Sequence, residues 1–232
     1  MRNIKGKGIM AATHNMDFEQ ARFNMVEQQI RPWEVLDPEV LNLMMTVKRE
    51  DFVPAAYQSV AFADVEIPLS DKAKMFPPKL EAKLLQELAI KKSDRVLEIG
   101  TGSGFMAALL ASRAGEVVSV EIDKALAEQA RKNLAAAGFN NVTVEVADGL
   151  KGFPAKAPYD VIVVSGGLSE LPRELLAQLK VGGRLAAIVG LAPVMHAELV
   201  TCTAEGAYAT VQLFETVVDR LVGDKAPSAF AF

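Results

Sequence analysis

The feature that most constrains this chain is the stretch Arg95 to Phe105, RVLEIGTGSGF, followed after a short helical segment by a second apolar run, Glu116 to Glu121, EVVSVE. An apolar strand that ends in a glycine loop and leads into a helix, with an acid at the tip of the next strand, forms one half of a nucleotide-binding βαβ unit. The chain is thereby committed to an α/β sheet whose strand tips hold an adenosine-containing cofactor. The glycines fall at 100, 102 and 104, and Glu98 stands two residues before the first of them. A dinucleotide would bring a pyrophosphate to the helix N-terminus, where a carboxylate repels it. S-adenosylmethionine carries no phosphate, only an ammonium and a sulfonium, so Glu98 favours it over NAD. Glu121 is placed to accept from both ribose hydroxyls, a contact the two cofactors share. Thr101 and Ile122 flank these positions and belong to the expected cofactor wall.

The alternation around this unit predicts the rest of the sheet. Strands are expected at 95–99, 117–121, 142–146, 161–164 and 185–189, with helices over 104–114, 124–136 and 171–179, the last ending at a turn through Gly182 and Gly183. Such βαβ alternation calls for right-handed crossovers and a mostly parallel, Rossmann-like, doubly wound sheet with helices on both faces. The segments 198–203 and 209–214 alternate in a strand-like way and read as an antiparallel end of the sheet. Upstream, Asp17 caps a helix predicted through Gln29 and stopped at Pro32, and Asp37 with Pro38 opens another through Val47, the two forming an N-terminal helical cap. Residues 1–15, MRNIKGKGIMAATHN, show no periodicity and read as a disordered tail. The division expected is therefore a tail over 1–15, N-terminal helices and a substrate-facing loop over 16–78, and a Rossmann-like S-adenosylmethionine-binding domain over 79–232. The loop is the stretch from Phe52 to Pro78, rich in Pro, Ala and Asp and without strong periodicity; a connection that long is usually functional. Pro78 opens a helix through Leu88 with Leu80, Leu84, Leu85 and Leu88 on its inner face.

Two further positions fall on the ligand edge of such a sheet. Asp148, followed by Gly149 at the end of the third strand, can accept from an adenine amine; the alternative is an Asx turn closing the strand. Ser165-Gly166-Gly167 at the end of the fourth strand leaves room for the methionine part of the cofactor, or is a plain loop.

Composition narrows the partners. With 232 residues, half of them apolar, a core of ordinary size is available. A net charge of −4 weighs against a chain whose main task is gripping nucleic acid. No apolar run reaches the length of a membrane span and no signal peptide is visible, so a cytoplasmic location without membrane association is expected. The single cysteine, Cys202, excludes an intrachain disulfide and reads as a small buried hydrophobe. The two histidines, His14 and His196, are far apart, and neither a metal constellation nor a nucleophile elbow is present. Methylating a hydroxyl generally needs a base or a metal, whereas a carboxylate is already an anion at neutral pH. The absence of an evident base fits a carboxyl acceptor aligned by proximity alone.

The runs RVLEIGTGSGFMAALLA, EVVSVEIDKALAEQARKNL, NVTVEVADGLKGFPAKAPYDVIVV and LLAQLKVGGRLAAIVG, together with ARFNMVEQQI near the start, resemble the protein-L-isoaspartate O-methyltransferase family. The resemblance implies S-adenosylmethionine-dependent methylation of the carboxylate of damaged aspartyl residues in proteins, and a Rossmann-like sheet with its own order of last strands. It also implies that Glu98, Gly100, Gly102 and Gly104 line the cofactor, that Glu121 holds the ribose and that Asp148 meets the adenine. One departure stands out. Where the family carries a hydroxyl residue beside the substrate carboxylate, before a proline, this chain reads Ala73-Lys74-Met75-Phe76-Pro77-Pro78, with Phe76 at that place. Phe76, Pro78 and Lys74 are therefore the candidate substrate-loop residues, and Lys72 or Lys74 offers a cation for an acidic acceptor. A protein or peptide carboxylate is the leading acceptor; a small molecule or another macromolecule, or binding without turnover, are the alternatives, and the oligomeric state stays open.

Overall fold

The computed structural model describes residues 17–225. The expected tail over 1–15 lies outside them. Asp17 caps α1 (Phe18–Met25) by accepting from the Gln20 amide, and the helix then loosens into a π turn over Val26–Ile30 and a 3-10 turn over Arg31–Trp33. Pro32 thus sits inside the last turn rather than stopping the helix before it. Asp37 caps α2 (Pro38–Thr46) with Pro38 in the first turn, and α3 (Pro78–Leu88) buries the leucines its spacing predicted.

The stretch between α2 and α3 is more ordered than its composition suggests. It folds into two 3-10 turns, Arg49–Phe52 and Ala55–Val60, and an antiparallel hairpin of β1 (Ile67–Ser70) and β2 (Ala73–Met75). Strands of four and three residues are too short to leave a period-2 signal, which is why the sequence shows only a loop.

The main sheet has seven strands in the order β5-β4-β3-β6-β7-β8-β9. These are β3 (Arg95–Ile99), β4 (Glu116–Glu121), β5 (Val142–Val146), β6 (Tyr159–Leu168), β7 (Leu179–Leu191), β8 (Val194–Ala204) and β9 (Ala207–Glu215). The first five pair in parallel, and β7-β8-β9 follow as an antiparallel meander in chain order. Chain order reverses beside β3, so the crevice at the carboxyl ends of β3 and β6 is where such a sheet takes a ligand.

Several boundaries move. β6 runs on through Ser165-Gly166-Gly167 instead of ending there, because Gly167 and Leu168 pair again with β7 after a register shift that begins at Val163. Gly182 and Gly183 lie inside β7, in the irregularity between Tyr159 and Val161 pairing, rather than before it. The helix expected over 171–179 shrinks to α6 (Arg173–Leu176); Leu175 and Leu179 are both buried, but one from a helical turn and the other from the strand that follows.

The two faces of the sheet are unequally covered. Val96, Val117, Val161, Val163, Ala186 and Ile188 point to the face packed by α1–α3, α4 (Phe105–Arg113) and α5 (Lys124–Ala136), and the N-terminal helices share that one buried cluster. Leu97, Ile99, Val118, Val120, Ile162 and Val164 point to the other, closed by α6, by Leu168 at the end of β6 and by irregular segments through Leu150 and Phe153. Glu98 and Ser119, neighbours in register, therefore lie on the helix-packed face, where a charge is costly.

Candidate functional site

The loop between β3 and α4 shapes the site. Gly100 has φ +91, and a Cβ there would meet the Ser165 carbonyl at 3.1 Å, so only glycine lets the loop lie against the end of β6. The amide of Gly102 donates to Glu121 Oε2 at 2.9 Å, and the amide of Asp123 to Glu121 Oε1 at 3.0 Å. Each carboxylate oxygen thus holds one backbone donor. An ionised carboxylate has about four acceptor positions, so two stay available toward the cavity that Glu121 lines.

That cavity encloses about 750 Å³ of empty space counted out to its open mouth. It gathers most of the expected residues. Lys74, Phe76, Gly100, Gly102, Glu121, Ile122, Asp148, Gly149 and Ser165 line it, with Lys72 beside them. Asp148 also forms the Asx turn, accepting from the Leu150 amide at 3.0 Å through Oδ1, so both readings of this residue hold at once.

Behind Phe76 lies a smaller recess lined by Glu81, Glu98, Thr101 and Met106. Glu98 is fully buried there; Ser119 Oγ donates to Oε2 at 2.5 Å and Ser165 Oγ to Oε1 at 3.1 Å. Burial pushes the Glu98 carboxyl up to about 8, the two serine hydroxyls oppose this, and the charges of Glu121 and Glu81 add to it. A buried acid short of compensating positive charge is a receptor for a cation.

Three of the expected residues stand apart from the main cavity. Gly104, with φ +88, is the N-cap of α4 and does not line the cavity; a Cβ would strike Leu134 of α5 at 3.2 Å, so its smallness serves helix packing. Thr101 turns its hydroxyl to Ser119 Oγ at 2.6 Å, in the recess rather than the main cavity. Pro78 is buried in the first turn of α3 and lines neither space.

Two groups of site residues were not foreseen. Arg49 is completely buried: its guanidinium bonds Glu81, the Ala61 carbonyl at 2.9 Å and the Phe76 carbonyl at 2.6 Å, and lies 4.9 Å over the Phe105 ring. It therefore fixes the main chain at Phe76. The second group is the segment Asp219–Val222, which forms one wall of the cavity and is pinned to β6 by the Gly167 amide donating to the Asp219 carbonyl and the Leu221 amide to the Gly167 carbonyl, each at 2.9 Å. Neither group announces itself in the sequence: Arg49 stands among other charges in VKREDFV, and a short irregular segment such as Asp219–Val222 leaves no periodic trace.

Among the described residues no group of three or more His, Cys, Asp or Glu is arranged to hold a metal, and no helix is long and apolar enough to cross a membrane.

Comparison with known proteins bears on this geometry. The family model for protein-L-isoaspartate(D-aspartate) O-methyltransferase matches residues 20–218. A protein-L-isoaspartate O-methyltransferase of Methanoculleus marisnigri is 46% identical over 169 residues, covering 73% of this chain and 77% of the relative; one of Rhodopseudomonas palustris is 45% identical over 166 residues, covering 72% and 76%. A solved protein-L-isoaspartate O-methyltransferase superimposes with a TM-score of 0.75 at 27% identity, over 88% of this chain and 67% of that one. A Plasmodium falciparum structure described as a putative member, in complex with S-adenosyl-L-homocysteine, shares the fold with a TM-score of 0.75 at 18% identity, over 88% and 97%. With the glycine loop, the two glutamates and the antiparallel end of the sheet all in place, the chain belongs to the protein-L-isoaspartate(D-aspartate) O-methyltransferase family.

Proposed function

We propose that the cavity at the tips of β3, β4 and β6 holds S-adenosylmethionine, with Glu121 accepting from the ribose hydroxyls, Asp148 and Gly149 beside the adenine, and Glu98 facing the cationic end. The chain is an S-adenosylmethionine-dependent methyltransferase of the isoaspartyl type, and its acceptor is the carboxylate of a damaged aspartyl residue in a protein.

The donor set fits the cofactor. Glu121 keeps acceptor positions open while its other lone pairs are occupied by loop amides, and Glu98 is a buried carboxyl that a ligand cation would draw into its ionised form. Bound S-adenosylmethionine supplies a methyl on a sulfonium, which a carboxylate oxygen can take in line without prior loss of a proton. The residues of this chain accordingly have to exclude water, align the acceptor and hold charge. Phe76, whose side chain borders both spaces, forms an apolar wall between them, and Arg49 keeps that wall in place.

The observation that carries this reading is the pair of carboxylates at one strand-tip crevice, one buried and short of a cation, the other tied to the glycine loop with lone pairs to spare. The test is transfer of labelled methyl from S-adenosylmethionine to an isoaspartyl peptide, with its ordinary aspartyl twin as control. A methyl ester on the isoaspartyl peptide alone is expected; cofactor binding with transfer to neither peptide would remove the repair reading.

A further inference from the structure

The mouth of the cavity carries an ion-pair cluster that the cofactor assignment leaves unused. Lys74 Nζ, on β2, lies 2.7 Å from Asp219 Oδ2 and 3.1 Å from Glu66 Oε2, and all three residues line the cavity. The partners come from opposite ends of the described chain: Lys74 from the hairpin before the sheet, Asp219 from the segment after its last strand. The main chain of Asp219 is fixed through its bridge to Gly167, but its side chain is 62% exposed and that of Lys74 is 40% exposed.

Exposure decides what such a pair can do. The Arg22–Glu50 and Arg49–Glu81 pairs are buried, and separating either would strand a charge in the core. An exposed pair is held only weakly, because water screens both charges, so another carboxylate can take the place of Asp219 on Lys74 at little cost. The other cations on the cavity wall are Lys72 and Arg220, and Arg220 is engaged with Asp224 at 3.1 Å. Phe76, deeper in, offers no donor to an anion. A carboxylate entering the cavity toward Phe76 therefore meets an ammonium that is already dressed with a carboxylate.

We propose that Lys74 is the specificity-determining residue that receives the acceptor carboxylate, and that Asp219 occupies its place in the free enzyme. Glu66 keeps the ammonium at the mouth during the exchange, and an entering carboxylate leaves Asp219 to water. The proposal rests on the reading that the acceptor is a carboxylate.

The test measures binding and transfer separately. A fluorescently labelled isoaspartyl peptide and its twin with that carboxylate converted to a carboxamide are titrated, by anisotropy, into the full chain saturated with S-adenosylhomocysteine. The free acid should bind at least tenfold tighter than the amide. Lys74→Gln, likewise saturated with S-adenosylhomocysteine, should bring the two within about twofold, Lys74→Arg should restore most of the preference, and Asp219→Asn should tighten the acid severalfold without affecting the amide. Equal binding of acid and amide by the unaltered chain, a preference that survives Lys74→Gln, or a loss in Asp219→Asn equal to that in Lys74→Gln would overturn the assignment. Methyl transfer by the unaltered chain is followed in parallel: its absence refutes the repair reading, whereas the acid-to-amide ratio judges Lys74.

Discussion

Glu98→Gln tests whether the buried acid is the counter-charge of the cofactor. With its carboxyl pushed up to about 8 by burial, Glu98 in the free enzyme is mostly protonated at pH 7. A cation placed beside it favours the ionised form, so binding S-adenosylmethionine should expel a proton from it at that pH. Affinity should rise with pH, by up to about tenfold per unit between pH 6 and 7.5, a range in which the ligand's ammonium stays largely charged. Glu98→Gln keeps the shape and an acceptor oxygen for one of Ser119 and Ser165, its amide nitrogen meeting the other hydroxyl as a donor, and has no proton to lose. Calorimetry in buffers of different ionisation enthalpy reads the proton directly, and the difference between the two proteins isolates Glu98 from the ligand's own titration. The same shift has a consequence for folding. The folded value near 8 lies above the ordinary carboxylate value of 4.5, so the ligand-free protein binds the extra proton when folded and loses stability as pH rises from about 4.5 to about 8. Equal proton release by the two proteins, or an affinity independent of pH in the unaltered one, would refute the placement of the cation at Glu98.

Other perturbations follow from the same geometry. Arg49→Met leaves Glu81 buried without its partner, which costs about 3–5 kcal/mol, and at about 2–4 °C per kcal/mol for a chain of this size the melting temperature should fall by roughly 10 °C. Arg49→Met combined with Glu81→Leu should recover most of that loss in a thermal melt, and a fall below about 3 °C for the single change would contradict the pair's role. Gly100→Ala forces a side chain into φ +91 with its Cβ 3.1 Å from the Ser165 carbonyl, a strain of about 1–3 kcal/mol. It should weaken S-adenosylhomocysteine binding at least tenfold by calorimetry, since the loop must shift to relieve the contact; unchanged affinity would show that the loop does not set the cavity wall.

Where local chemistry dictates structure, the sequence is a sufficient guide. Asp17 and Asp37 cap the helices they were expected to cap, and Asp123 caps α5 in the same way, because each offers a side-chain oxygen to an otherwise unpaired amide. The strands at 95–99 and 142–146 appear at the expected residues, being apolar runs bounded by turns, and Glu98, Glu121 and Asp148 come to one edge because the sheet's topology takes them there. What escaped depends on partners distant in the chain. The hairpin of β1 and β2 is too short to show a period, and Ser165-Gly166-Gly167 remains a strand only because β7 lies alongside it. The Leu171 to Leu179 spacing looks helical, yet its leucines are distributed between α6 and β7 to close the far face. Arg49 would ordinarily be read as a solvated charge, and only the fold reveals Glu81 and two carbonyls converging on it. Asp219 lacks any local sign of function, since its meaning comes from Lys74, far earlier in the chain.

The most direct measurement of the central claim is a calorimetric titration of S-adenosylhomocysteine into the unaltered chain and into Glu121→Ala. Glu121 ties the glycine loop to the tip of β4 and faces the cavity with acceptor positions to spare. One ligand should bind per chain, and the substitution should weaken it at least tenfold with the fold preserved by circular dichroism. Stoichiometric binding of unchanged affinity in Glu121→Ala would contradict the claim that this strand-tip cavity is the cofactor site.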